Sequence, residues 1–411
     1  MSENERYFRG VVPVWDAIAC ELKDTSPEGS WILTKILIIA NAILFIILGQ
    51  YMWPYTTAYK TFPYPLCVLS GTCWTQIING MFAHADLIHI IGNMLFLYIV
   101  GDNVEITFGK LKYLIIYFAS GIAAAFTQSM YSLALSPSTL GVLMVGASGA
   151  ISGLIGAYLL TYPGSAMCYC IGFRFIFKCF KVRATTYLGL WILFQFVYPL
   201  IASNVAIVAH LGGLVTGAAL ALLLADRGRI EELRVRLWRG FVRGLDPGEE
   251  ELKRHSLSSL GTGALVAAAV FLIAVSAMAS YYAPAYDGKV AVVYGITEKV
   301  FVGYTTTVTK HPWSQFPSYD YVPVYSTRLR EVRYIITSNR SIVDKVWTWP
   351  DTVLLAVVST YYMAEVTVTA ASIIIAASAY LIYAVARGRH KEIEVTYVSP
   401  EMVRRLRAAP A

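Results

Sequence analysis

The sequence predicts an all-α polytopic membrane protein that carries one small, mostly β domain. Composition supports this fold class, because 57% of the 411 residues are apolar and only 14% are charged, against about 25% charged in soluble domains. A soluble fold could not bury so much apolar surface. The net charge is +7, but no dense Lys/Arg run accompanies the aromatic residues, so nucleic-acid binding is not expected.

Eight apolar segments approach the length of about 20 residues that a helix needs to cross a bilayer. Their approximate bounds are 31–53, 84–101, 113–134, 148–162, 185–202, 205–225, 259–281 and 366–386. The first six form a predicted core over 31–225. The rest of the chain divides into an N-terminal segment (1–30), a basic linker (226–258), the seventh span (259–281), a domain (283–352), an eighth-span region (353–386) and a basic tail (387–411).

Lys and Arg in the loops predict the orientation, since positive loops stay in the cytoplasm. The loops 102–112, 163–183 and 226–258 carry two, four and eight of these residues, whereas 54–83, 135–147 and 203–204 carry one, none and none. We therefore expect a multi-pass protein of the cell membrane with both termini in the cytoplasm. The linker 226–258 is expected to form an amphipathic basic helix, as a stop-transfer segment or a lipid-binding one.

Two further segments are predicted outside the spans. Residues 173–185 alternate apolar and basic side chains, which predicts a short hairpin on the membrane surface. Residues 283–352 are rich in Tyr, Val and Thr, which predicts a mostly β extracellular domain that either caps the core or recruits substrate. In the outer loop 54–83, Cys67 and Cys73 are candidates for a disulfide.

Polar residues inside the second and fourth spans are the first candidates for function, since such residues are rare at membrane depth. His89 and Asn93 lie four residues apart and share one helix face, either for function or to bind helices together. The span 148–162 covers only about 22 Å. Its first residue, Ser148, is therefore expected in a sunken aqueous pocket, where free backbone N–H groups could hold an anion.

Small residues predict how the fourth and sixth spans pack. His210, Gly213 and Gly217 share a face of the sixth span, and Gly149 and Gly153 share a face of the fourth. Close packing of these faces would bring His210 against Ser148, which is the minimal activated nucleophile.

No Asp or Glu lies in the fourth, fifth or sixth span, so a Ser-His dyad is favoured over a triad. Asp86 is a candidate for orienting a histidine, and Glu105 is expected to be a structural loop residue. From the residues alone, two classes stay open: a serine hydrolase buried in the bilayer, and a transporter or channel with polar gating residues.

Four motifs, in their order along the chain, resemble those of the rhomboid family of intramembrane serine proteases. They are H-x4-H-x3-N at His84, His89 and Asn93; GxSG from Gly146 to Gly149; AHxxGxxxG from Ala209 to Gly217; and the connection 101–122. The resemblance covers about 60–225. It implies a six-helix rhomboid core that opens to the outer side, to which this chain adds two C-terminal spans and the domain between them.

The resemblance also implies residue roles. Ser148 would be the nucleophile and His210 the general base, while His89, Asn93 and the N–H of Ser148 would stabilise the oxyanion and His84 would be structural. Transmembrane proteins would be the substrates, and no metal or cofactor is implied. Two other interpretations stay open: a non-catalytic rhomboid-like protein that binds membrane helices, and a transporter.

One residue departs from the family pattern. Many rhomboid proteins place an aromatic residue four positions after the serine, stacked on the catalytic histidine, but this chain has Ser152 there. We expect either that Ser152 hydrogen-bonds to His210 or that another side chain fills the gap.

Overall fold

The fold comes from a computed structural model. It describes residues 31–48, 55–163, 165–173, 176–183, 185, 207–243, 259–309, 318–338, 346, 348–349, 351–396 and 405. Apart from Thr185, the predicted fifth span (185–202) lies outside the described residues. The count of eight spans therefore stays a prediction.

Helices dominate the described part of the chain. In chain order they are α1 (Ile32–Leu48), α2 (Tyr55–Thr61), α3 (Pro65–Leu69), α4 (Trp74–Gly80), α5 (Leu87–Phe108), α6 (Lys110–Leu135), α7 (Ser148–Thr161), α8 (Ile207–Leu224), α9 (Arg227–Arg243), α10 (Ser259–Tyr282) and α11 (Met363–Ala386). Short 3₁₀ turns occupy Pro137–Thr139, Ala283–Tyr286 and Arg389–Glu392.

Several of these helices have the length and apolar composition of membrane spans. Among the described residues, four stretches qualify: Leu87–Phe108, Lys110–Leu135, Gly261–Tyr286 and Met363–Ala386. A fifth candidate is α8 together with α9, which are bent by 95° relative to each other. The apolar helices α1 and α7 are shorter. The chain is thus a multi-pass membrane protein.

The predicted loop at 102–112 is wrong, because α5 continues through its acidic residues to Phe108. Helix α5 ends at Gly109, whose φ of 77° departs from helical geometry. Glu105 is buried and its carboxylate accepts hydrogen bonds from the backbone N–H groups of Leu33 (3.0 Å) and Thr34 (2.8 Å). Those N–H groups begin α1 and have no partner within that helix, so Glu105 attaches α1 to α5.

Helix α7 lies at the centre of the bundle. Every residue from Gly149 to Thr161 is buried, and the helix packs against α5, α6 and α8. Protein surrounds a helix of this kind on all sides, which agrees with its lack of a polar face. The remaining spans pack around it, with α10 and α11 paired with each other and in contact with α6 and α8.

The described strands form two antiparallel sheets. β1 (Ala166–Phe173) pairs with β2 (Ile176–Arg183), with Ala166 opposite Arg183. The predicted hairpin at 173–185 is therefore displaced, because its first strand begins at Ala166; the apolar run of β1 carries no charge to mark it as a surface strand.

The second sheet has the order β4-β3-β5, formed by β3 (Val290–Thr309), β4 (Ser318–Thr337) and β5 (Thr352–Ser359). Most of β5 falls within the region 353–386 that the sequence groups with the eighth span, and the helix itself begins at Met363, close to the predicted start at about 366. The mostly β character of the domain is as expected, and its extracellular placement stays a prediction.

Candidate active site

The chain that leads into α7 is held by hydrogen bonds to the region 63–80. The N–H of Met144 donates to the carbonyl of Pro63 at 2.8 Å, and the N–H of Gly146 donates to the carbonyl of Gly80 at 2.9 Å. A disulfide joins Cys67 and Cys73 within that region, which confirms the predicted pair. Irregular backbone before Ser148 is thus satisfied by protein, as a membrane segment requires.

Ser148 and His210 lie within hydrogen-bond distance. Ser148 Oγ is 2.8 Å from His210 Nε2. Ser148 is the first residue of α7, and His210 lies in the first turn of α8. The structure therefore brings together the two side chains that the sequence paired.

Glycines explain why these two helices approach so closely. A β-carbon on Gly213 would collide with the carbonyl oxygen of Gly149, and one on Gly217 would collide with the carbonyl oxygen of Gly153. These are contacts with backbone, which cannot rotate away. The two glycine-lined faces therefore meet as predicted, and they fix the separation of Ser148 and His210.

Helix α5 presents His89 to the same region. The carboxylate of Asp86 accepts a hydrogen bond from the N–H of His89 at 2.7 Å, which caps the start of the helix. Asp86 thus fixes the start of the helix that carries His89. The N–H of Ala85 points at His89 Nδ1 from 3.4 Å; a neutral ring that accepts there carries its proton on Nε2.

The position of His89 relative to Ser148 follows from Gly146. A β-carbon on Gly146 would lie 2.8 Å from His89 Nε2 and 3.5 Å from Ser148 Oγ. Both polar atoms therefore border the one small space that this glycine leaves open. Gly146 has a φ of +128°, a conformation that L side chains rarely adopt.

Asn93 and His84 belong to the same sequence motif as His89, and both side chains are buried. The Nδ2 atom of Asn93 has no hydrogen-bond partner among the described residues. Leaving such a donor unsatisfied costs about 1–3 kcal/mol and requires an explanation. The ring of His84 lies edge-on to that of His89, with centroids 5.2 Å apart, which suits a packing role.

Ser152 does not take the place of the aromatic residue that the family pattern favours. Its hydroxyl donates to the carbonyl of Ser148 at 2.7 Å, within its own helix. The expected alternative of a hydrogen bond to His210 is therefore wrong. Ser152 instead lies next to Gly213, where a larger side chain would meet α8.

A small cavity of about 60 Å³ opens beside Ser148. Its wall includes Gly80, Met81, Gly121, Ala124, Val145 and Ala209. These side chains are small or apolar, so the cavity accepts one small uncharged group and excludes a bulky one. The sequence motifs gave no sign of this wall, because half of it comes from the region 63–81 and from α6.

Comparison with known proteins places this site in a shared domain. The family model described as "Rhomboid domain" matches residues 71–227. Over 166 residues the chain is 30% identical to the rhomboid-family protein YdcA of Bacillus subtilis, covering 40% of this chain and 73% of YdcA.

Two longer relatives match the same region. The chain is 31% identical over 177 residues to "RHOMBOID-like protein 6, mitochondrial" of Arabidopsis thaliana, covering 41% of this chain and 50% of that protein. It is 31% identical over 157 residues to "Rhomboid protease GluP" of B. subtilis, covering 38% and 27%. The match therefore spans half or less of these two relatives.

Proposed function

The chain belongs to the rhomboid family, and from the geometry of its site we propose that it is an intramembrane serine endopeptidase that cleaves transmembrane segments of membrane proteins. One observation carries the proposal: the hydroxyl of Ser148 lies 2.8 Å from the imidazole of His210 at the head of a buried helix. A serine within reach of a base is the arrangement that nucleophilic catalysis requires.

In the proposed reaction Ser148 attacks the scissile carbonyl while His210 Nε2 accepts the hydroxyl proton. His210 then returns that proton to the leaving amine, and an acyl-enzyme remains. A water molecule, deprotonated by the same imidazole, hydrolyses the ester and restores Ser148. Water is the only co-reactant that these steps need.

The oxyanion of the tetrahedral intermediate needs donors that are in place before it forms. Three groups are suited to this role: the Nε2–H of His89, the amide of Asn93 and the backbone N–H of Ser148. The unsatisfied Nδ2 of Asn93 supports the assignment, since a donor that is reserved for substrate has no partner in the free protein. The position of His89 also supports the assignment, because its Nε2 atom and the Ser148 hydroxyl border the same small space beside Gly146.

The cavity beside Ser148 bears on the class of substrate. A space of about 60 Å³ with a glycine- and alanine-rich wall favours a small side chain next to the cleaved bond. A transmembrane helix hides its carbonyls in internal hydrogen bonds, so the substrate must unwind locally before attack. We therefore expect cleavage near Gly, Ala or Ser in a segment that unwinds readily.

The test is cleavage of a labelled transmembrane substrate by the purified protein in lipid vesicles. Wild type is expected to cleave, and Ser148→Ala and His210→Ala are expected to lose cleavage. Ser129→Ala is the matched control, because Ser129 is also buried in a helix and, among the described residues, its hydroxyl bonds to the carbonyl of Ala125 within its own helix. Cleavage by Ser148→Ala would overturn the proposal, and binding without cleavage by wild type would favour the non-catalytic interpretation.

A further inference from the structure

The C-terminal end of the described chain is built into the core instead of trailing from the last helix. After α11 the chain turns at Gly388, with a φ of +71°, into the 3₁₀ turn Arg389–Glu392. Ile393 and Val395 then pack into the same apolar cluster as α7, with exposed fractions of 4% and 1%. We call residues 389–396 the docked segment.

The docked segment contacts the far end of the helix that begins at Ser148. The N–H of Val395 donates to the carbonyl of Thr161 at 2.7 Å, and Thr161 is the last residue of α7. The last carbonyls of a helix have no partner within it. Val395 therefore supplies one from a part of the chain more than 200 residues away in sequence.

The same segment is held by α9, which follows the helix that carries His210. The Nε and Nη2 atoms of Arg234 donate to the carbonyl of Glu394 at 3.1 and 2.6 Å, and Nη2 also points at the carbonyl of Glu392 from 3.3 Å. Arg227 pairs with the Glu392 carboxylate at 2.6 Å. Arg234 is largely shielded from solvent, with 13% of its side chain exposed, whereas 70% of the Arg227 side chain is exposed.

Helix α9 also holds the C-terminal end of α5, the helix that carries His89 and Asn93. The Nε and Nη2 atoms of Arg229 donate to the carbonyl of Ile106 at 2.9 and 2.6 Å. Ends of the three helices that carry the proposed site are thus joined at α9: α8 leads into it, α5 is held by Arg229, and α7 is reached through the docked segment. A second route runs through α5, because the hydroxyl groups of Tyr162, which follows α7, and Thr107 lie 2.7 Å apart; the docked segment supplies the more direct link from α7 to α9.

We propose that the docked segment is a positioning element for the site, and that Arg234 is the residue that holds it. The inference rests on the proposed function, and it assigns a role to residues beyond the matched domain, which ends at 227. Helix α7 is buried along its length and about 21 Å long, so a shift at Thr161 moves Ser148 relative to the donors on α5. A misplacement of about 1 Å is enough to lower a rate about 100-fold.

The test compares two pairs of variants in the full-length protein in vesicles. Arg234→Ala removes the bonds to the docked segment together with an ion pair to Glu231 at 2.7 Å. Arg236→Ala is its control, since Arg236 is exposed and pairs with Glu232 one turn away in the same helix. Val395→Pro removes the N–H that Thr161 accepts, and Val395→Ala keeps it. Each is measured for kcat, for KM and for hydrogen exchange in peptides covering 155–161 and 389–396.

We expect Arg234→Ala and Val395→Pro to lower kcat about tenfold with KM changed less than about twofold, and to speed exchange in both peptides. Arg236→Ala is expected to stay near wild type, and Val395→Ala, which shortens a buried side chain but keeps the N–H, is expected to lower kcat less than Val395→Pro. Faster exchange with unchanged kcat in Arg234→Ala would overturn the positioning role, and unchanged exchange would overturn the docking role of Arg234.

Failure of the proposed function gives a different result. If wild type cleaves nothing, the protease assignment fails, and hydrogen exchange alone then decides whether the docked segment orders α7. Should Val395→Pro fail to fold, Arg234→Ala carries the test, because it leaves every backbone hydrogen-bond donor in place.

Discussion

Gly146→Ala tests the space between His89 and Ser148. The new β-carbon would lie 2.8 Å from His89 Nε2, whereas ordinary contacts begin at 3.4 Å, so the imidazole must shift by about 0.6 Å. A non-glycine residue at this φ also costs about 1–3 kcal/mol. The space that remains open in wild type would be filled at the point where the substrate carbonyl is expected.

We expect kcat/KM of Gly146→Ala to fall by about 10²–10³, similar to the loss of an oxyanion donor. Gly288→Ala is the matched control, because its φ is +72° but a β-carbon there meets nothing within 4 Å. That variant also places an L residue at a positive φ, away from the site, and is expected to cleave at the wild-type rate. Cleavage assays and thermal unfolding in the same vesicles separate the two effects. Full activity in Gly146→Ala, or equal losses in both variants, would show that cleavage does not depend on the space between His89 and Ser148.

Three further predictions concern packing, donors and pH. Gly213→Ala should separate α7 from α8 and abolish cleavage, whereas Gly263→Ala, whose β-carbon meets nothing within 4 Å, should leave it unchanged. Asn93→Ala should lower kcat by about 10²–10³ without loss of stability, since its Nδ2 loses no partner. Burial raises the pKa of the Glu394 carboxyl to about 8, so unfolding measured by fluorescence should show stability falling as pH rises towards 8, and Glu394→Gln should remove that slope.

The sign of the pH effect follows from proton binding. Glu394 lies beyond the last span, and its pKa is raised from 4.5 even though Arg234 and Lys391 favour the charged form and Thr396 donates to it at 3.2 Å. Between pH 4.5 and about 8 the folded state keeps a proton that the unfolded chain releases. Stability therefore falls by up to about 1.4 kcal/mol per pH unit in this window. A wild-type slope equal to that of Glu394→Gln would contradict this account.

Controls for the other two variants are available in the chain. Asn41 is a buried amide whose Nδ2 donates to the carbonyl of Leu37 at 2.8 Å, so Asn41→Ala should lose stability and keep kcat. The assignment of Asn93 fails if its variant loses stability and retains kcat. Cleavage by Gly213→Ala at the rate of Gly263→Ala would show that close packing of α7 against α8 is not required.

The parts of the site that the sequence predicted are those set by spacing along one helix. The glycine faces around Gly149 and Gly213 follow from helical periodicity, and so does the pairing of Ser148 with His210. The short fourth span also predicted irregular chain before Ser148. Local rules suffice for each glycine face because its residues lie within two or three turns of one helix, and the pairing of Ser148 with His210, 62 residues apart in sequence, follows once the two faces pack.

Contacts between distant segments could not be predicted in the same way. Glu105 was expected in a loop because a carboxylate is costly inside a span, yet it lies in α5 and satisfies N–H groups 71 residues away. Ser152 bonds within its own helix, so the departure from the family pattern did not reveal its partner. The docked segment has no motif, since its hydrogen bonds to Thr161 and Arg234 are made by the backbone of residues 392–395.

The most direct test of the central claim is the site of covalent modification by a fluorophosphonate, read by mass spectrometry of the protein in vesicles. This reagent forms a stable ester with an activated serine hydroxyl. We expect one adduct, on the peptide that contains Ser148, and its loss in His210→Ala. An adduct elsewhere, or an unchanged rate of labelling at Ser148 in His210→Ala, would contradict the proposal that these two residues form the catalytic dyad.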